Sequence, residues 1–294
     1  YVYYSMFGFQ RTGDMMWAAG DLQARGFLVG ATAGRTTLNG EGLQHQDGHS
    51  HILNNTIPNC VTYDASYGYE LAVIIQNGIE RMYGKAQENI FYYLTTLNEN
   101  YKQPAMQEGI EEGIIKGIYK FENVKAKNNY KVQLLGSGTI LEQVRKAAQI
   151  LAKDFDIASD VYSVTSFNEL TRNGQEIERY NMLHPDAKNQ SAYITDILGD
   201  DEDNIVISTT DHMKAYSEQV RAYVSGSFKA LGTDGFGRSD SRENLRAHFE
   251  VDANFIVFTT LSELVKASKL DKKVLKKAMK SLNIDSEKIN PFKA

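Results

Sequence analysis

The sequence predicts an α/β protein made of two units, each a mainly parallel sheet covered by helices. Three observations carry this. Short runs of β-branched and aromatic residues alternate with segments of helical period, an order that favours parallel strands joined by crossover helices. A polar, unpatterned stretch at 125–129 (KAKNN) is followed by a second start of the same alternation. The 294 residues are enough for about two domains with real cores.

In the first unit, 1–9 is aromatic and β-prone, and 11–25 has helical period, with Met15, Met16, Ala18, Ala19 and Leu22 on one side. A strand is expected over 27–32, another over 58–65 and a third over 89–97. Helices are expected over 67–83, with Leu71, Ile75, Ile79 and Met82 inward, and over 110–120. In the second unit, strands are expected at 132–135, 161–165, 205–208 and 255–259. Helices are expected at 139–153, with a Thr139–Glu142 capping box, at 211–223 and at 271–282. The domains are therefore placed at 1–124 and 130–294, with 125–129 as the linker.

Composition excludes several classes. The hydrophobic fraction is 42%, charged residues make up 23% and the formal net charge is −5, a soluble globular profile with no pull toward nucleic acid or an anionic membrane. Apolar runs such as 255–258 fall far short of the ~20 residues a membrane span requires. The single cysteine, Cys60, leaves no internal disulfide, reads as a small buried hydrophobe and suggests a reducing compartment. The chain opens on Tyr1 with no initiator Met and a strand already under way, which suggests a piece of something longer.

Chemistry concentrates in 34–51, GRTTLNGEGLQHQDGHSH. It holds Glu41, Asp47 and three of the six histidines, His45, His49 and His51, among flexible glycines. It follows a strand, where open α/β sheets hold ligands. Glu41, His45 and His49 recur every four residues and would share a helix face able to bind a metal, but the glycines oppose a continuous helix and no HExxH order is present. Alternatively Glu41 and His45 act as acid, base or hydrogen-bond donors in an active-site loop. A Ser50 nucleophile lacks the GxSxG elbow, and a polar loop whose histidines merely cap helices stays open.

Elsewhere, 136–139 (GSGT) lacks the third glycine of a dinucleotide fingerprint and reads as a tight turn. The 232–244 loop, with Asp234, Arg238, Asp240 and Arg242, is a structural corner or an interface. The acidic run 200–203 and the lysines of 272–280 read as solvated surface.

The run YYSMFGFQRTGDMMWAAGDLQARGFLVGATAGRTTLNGEGLQHQDGHSH, with IPNC, TTLNENY and LGTDGFGRSDSRENLRAHFEVDA, resembles the homodimeric bacterial decarboxylating component of the pyruvate dehydrogenase complex, across the whole chain. That family is similar to transketolase in fold. The resemblance implies the latter part of a pyrimidine-binding domain at 1–124 and a transketolase C-terminal-like domain at 130–294. It also implies that the diphosphate and magnesium ligands and the cofactor-activating glutamate lie outside this chain, a C-terminal fragment inactive alone.

By motif, Tyr4, Glu41 and His45 correspond to positions lining the channel over the thiazolium of thiamine diphosphate, catalytic and cofactor-binding at once; no metal ligand is assigned. Gln46 stands where the family pattern has an acid. The resemblance further implies a cytoplasmic homodimer that decarboxylates pyruvate and acetylates the lipoyl domain of a dihydrolipoyl acetyltransferase, and it inclines the 232–244 loop toward an interface. Two other readings remain, a non-catalytic docking or dimerisation module and a metal-dependent enzyme using Glu41, His45 and His49.

Overall fold

The computed structural model describes residues 1–4, 6–127 and 130–294. The first sheet has four parallel strands in the order β1-β2-β4-β3: β1 (Val2–Tyr3), β2 (Phe27–Gly30), β3 (Cys60–Asp64) and β4 (Phe91–Thr95). Helix α1 (Met6–Asp21) precedes β2, α2 (Ser50–Asn55) leads into β3, α3 (Gly68–Tyr83) crosses from β3 to β4, and α4 (Glu111–Lys116) closes the unit. One face of the sheet packs Val61, Tyr63, Tyr92 and Leu94 under Ile74, Met82 and Ile114. The other packs Tyr3, Cys60, Phe91 and Tyr93 under Met16 and Ile57.

The second sheet runs β5-β7-β6-β8-β9, where β5 is Ile118–Val124, β6 Lys131–Gly136, β7 Ala158–Val164, β8 Ile205–Thr209 and β9 Ser227–Leu231; only β5 is antiparallel. One face is covered by α5 (Leu141–Phe155) and α10 (Ala253–Lys266), flanked by α9 (Arg242–Phe249) and α11 (Lys273–Ser281). The other carries α6 (Phe167–Leu183), α7 (Tyr193–Leu198) and α8 (Lys214–Glu218). The two units are mainly parallel sheets wrapped by helices, as the sequence predicts.

Several expected elements differ, each for a local reason. The helix expected over 110–120 ends at Lys116, because Gly117 takes φ +106 with Ser166 O and Leu170 against the place of a side chain. The chain then enters β5, so the change from one sheet to the other falls at Gly117 and residues 125–127 join two strands of the second sheet; the rest of the expected linker, 128–129, lies outside the described residues. The strand expected at 255–259 is part of α10, whose N-terminus is capped by Asp252 accepting from the Phe255 amide. A short apolar run does not by itself distinguish a buried helix from a strand.

Residues 6–9, expected to be β, are already helical in α1; its Met15 and, just past its end, Leu22 are exposed. In α3 the buried stripe is Glu70, Ile74, Gly78 and Met82, while Ile79 is exposed. Glu70 goes inside because it accepts from the Ser66 and Tyr67 amides, the Tyr119 hydroxyl and the Ser163 hydroxyl, the last two from the second sheet. The Thr139–Glu142 capping box does not form: Thr139 meets Thr37 across the unit boundary, and Glu142 accepts from Tyr67 and Arg145.

Candidate functional site

The 34–51 loop leaves the carboxyl end of β2 and folds as irregular chain, a single 3₁₀ turn at Leu43–His45, and then α2. The break follows from Gly40 at φ +70, and it removes the shared helix face that would align Glu41, His45 and His49. Asp47 starts α2 by accepting from the amides of His49 and Ser50 and from the Ser50 hydroxyl. Ser50 is thus a buried hydroxyl that donates to Asp47, not an exposed nucleophile.

The second unit holds this loop. Asp211, just beyond β8, accepts from the amide and hydroxyl of Thr36 at 2.8 and 2.6 Å and from those of Thr37 at 3.0 and 2.5 Å. The Arg35 guanidinium donates to the carbonyls of Thr233 and Gly235, and Arg242 to that of Thr37. Burial pulls the Arg35 pKa down, against the raising charges of Asp47, Asp211 and Asp234. The Gln46 amide donates to Leu38 O and accepts from the Arg238 amide, both bonds in a fully buried position. An acid at position 46 would have no proton for Leu38 O at neutral pH, so the amide suits the pairing found. The 232–244 loop is therefore a clasp on the 34–51 loop within this chain.

Of the residues singled out by sequence, Tyr4 and His45 come together: their rings lie 6.2 Å apart, edge to face at 76°. Tyr4 follows β1 and is 66% exposed, and His45 ends the Leu43–His45 turn. Glu41, half-buried, lies between Gly40, whose amide donates to Asp240 O, and that turn. Beside Leu43, an open recess of about 640 Å³ is lined by Phe236, Gly237, Arg238 and Asp240.

His49 and His51 go elsewhere. His49 sits 3.5 Å from Arg35 through Nδ1, and burial lowers its pKa. His51 is fully buried, stacked on Tyr216 at 4.8 Å and set edge-on to His212 at 4.8 Å. His212 Nε2 is 3.5 Å from Asp64 Oδ2, at the carboxyl end of β3. Burial disfavours charge on all three side chains, but the Asp64–His212 pairing overrides it: Asp64 falls to about 2 and His212 rises to about 9. His51 falls to about 3, through burial and then the His212 charge.

Among the described residues, His51, Asp64 and His212 are the one group of three possible metal-ligating side chains, so Glu41, His45 and His49 do not form such a set. The sequence assigns no role to His51 and does not single out Asp64 or His212, because nothing in the local pattern of any of the three signals that the fold will bring them together.

Among the described residues, no helix is long and apolar enough to cross a membrane. Residues 1–104 match the family model for the pyruvate dehydrogenase E1 component middle domain, and 117–252 match that for the transketolase-like TK C-terminal domain. Among solved structures, transketolase from Pichia stipitis in complex with sedoheptulose-7-phosphate aligns over 92% of this chain and 34% of its own, with TM-score 0.67 and 13% identity. Transketolase from Campylobacter jejuni aligns over 89% and 35%, with TM-score 0.61 and 16% identity; both are likenesses of fold.

The pyruvate dehydrogenase E1 component of Escherichia coli K12 is 62% identical over 292 residues, 99% of this chain and 32% of that protein. That of Haemophilus influenzae is 56% identical over 296 residues, 100% of this chain and 33% of that protein. At this overall identity over 99–100% of its residues, the chain, spanning about a third of its relatives' length, belongs to the pyruvate dehydrogenase E1 component family.

Proposed function

We propose that this chain forms one wall of the active site of an intact enzyme that decarboxylates pyruvate on thiamine diphosphate and passes the acetyl group to the lipoyl domain of an acetyltransferase. The observation that carries the reading is the meeting of Tyr4 and His45 at an open face, 6.2 Å apart, on turns fixed by β1 and by the clasped loop. A phenol, an imidazole and a nearby carboxylate suit the substrate end of such a site. The one three-ligand group among the described residues is buried and offers two imidazoles and one carboxylate, a set that does not fit magnesium, so in this reading magnesium and the diphosphate are held outside this chain.

When bound, thiamine diphosphate supplies the electron sink for loss of carbon dioxide from a 2-oxo acid. The residues of this chain then place and protonate. The Tyr4 hydroxyl and a ring nitrogen of His45 hydrogen-bond the carboxylate or carbonyl oxygen of pyruvate, and His45 moves a proton at that oxygen while Glu41 orients its ring. The assembled enzyme is a cytoplasmic homodimer in this reading.

The test is turnover of the intact polypeptide with pyruvate, thiamine diphosphate, magnesium and an artificial electron acceptor. His45→Ala lowers kcat by ~100-fold or more, the usual worth of a positioned acid–base group, with unchanged circular dichroism. Wild-type turnover would remove His45 from the mechanism. The 294-residue chain alone is inactive; turnover by it at the intact enzyme's rate would defeat the reading of this chain as one wall.

A further inference from the structure

The His51, Asp64 and His212 cluster sits where the two units meet, His51 and Asp64 coming from the first and His212 from the second. All three side chains are buried, and their ligand atoms lie within 4.8 Å of one another. The hydrogen bonds fix the state of His51. The Thr95 hydroxyl donates to Asp64 Oδ1 at 2.7 Å, so at 2.9 Å from His51 Nε2 it accepts the ring proton. The proton is therefore on Nε2, and Nδ1 presents a bare lone pair.

That lone pair has no hydrogen-bond partner, and neither do Asp64 Oδ2 or either ring nitrogen of His212. His51 Nδ1 and Asp64 Oδ2 are thus buried acceptors without a hydrogen bond, with His212 Nε2 3.5 Å from that oxygen and able to give up its proton to a cation, so the cluster calls for an electropositive occupant. The walls are dry and aromatic: Tyr216 stacks on His51, Tyr93 sits edge-on to it at 5.4 Å, and Tyr216 is edge-on to His212 at 5.3 Å.

From this arrangement we propose a metal site: His51 Nδ1, Asp64 Oδ2 and His212 Nε2 bind one divalent first-row transition ion of the zinc class, which ties the two units together. Two imidazoles and one carboxylate are a donor set that such ions prefer over magnesium or calcium. Tetrahedral ligation at about 2.0–2.1 Å places ligand atoms roughly 3.4 Å apart, so the side chains close in by about 1 Å. Thr95 serves as the outer partner that fixes the ring of one ligand and holds the second oxygen of another, the usual support of a ligating histidine. This site is separate from the Tyr4–His45 opening and does not depend on the proposed activity.

The test uses the full 294-residue chain, stripped of metal and titrated with cobalt(II) and zinc(II). Expected are one tightly held equivalent, tetrahedral cobalt visible bands, and a higher melting temperature with zinc. His212→Gln and His51→Gln weaken uptake by ~100-fold or more, whereas the exposed His184→Gln leaves it unchanged. Because a buried substitution can unfold the chain, the unaltered protein is also read by ¹⁵N histidine spectra: zinc shifts the ring nitrogens of His51 and His212 and not those of His184. No stoichiometric uptake, uptake undiminished in both variants, or zinc shifts confined to other histidines would each overturn the site and leave a cluster neutralised by a proton alone.

Discussion

Replacing Asp211 by asparagine keeps the shape of the side chain and removes what the clasp uses. The carboxylate accepts four hydrogen bonds from Thr36 and Thr37, both fully buried. The asparagine oxygen can still accept the Thr36 pair, now as neutral bonds worth about half as much. Its amino group faces the Thr37 amide, donor against donor, and leaves a buried N–H unpaired at a cost of about 1–3 kcal/mol. The sum is about 3–4 kcal/mol. At 2–4 °C per kcal/mol for a chain of this size class, the melting temperature falls by roughly 6–16 °C. Urea unfolding followed by circular dichroism measures the change, and a double-mutant cycle with Thr37→Val isolates the pair, with a coupling of at least ~1 kcal/mol. A loss under ~0.5 kcal/mol would show that the loop is held by something other than the Asp211 carboxylate.

Gly34→Ala acts on the same joint, since Gly34 has φ +93 and a Cβ there would run into Asp211 Oδ2. It should cost about 2–4 kcal/mol in the same assay, the left-handed conformation contributing about 1–2; Gly13→Ala, with nothing near the added methyl, is the comparison. Cys60 is buried and its thiol is pushed far up by burial, so it should resist a thiol reagent at pH 8 in the native chain and react fully in denaturant. Rapid native labelling would contradict its buried place at the start of β3, beside β4.

The strands that read most clearly from sequence, β3, β4, β6 and β8, are interior or doubly covered, and their β-branched and aromatic runs have no rival explanation. β5 was not legible because the apolar period of α4 continues through Ile118, and only the left-handed backbone of Gly117 stops it. Phe255 to Phe258 failed in the opposite sense, a run too short to show its period. Tyr4 and His45 are singled out by a long motif, and their mutual approach follows from β1 lying beside β2. Asp211, Asp64 and His212 had no such signal. Each belongs to an ordinary strand end, and its importance exists only once the two sheets face each other.

The Asp211 clasp also sets the timescale on which the 34–51 loop can move. A surface loop ordinarily opens by local fraying, independent of the body beneath it. Here the amides of Thr36 and Thr37 are locked by a residue at the end of a central strand of the other sheet, with Arg35 and Arg242 crossing in both directions. Releasing the segment that leads to Glu41 and His45 means breaking these contacts with the other sheet. The turn that brings His45 beside Tyr4 therefore stands on a base shared by both sheets.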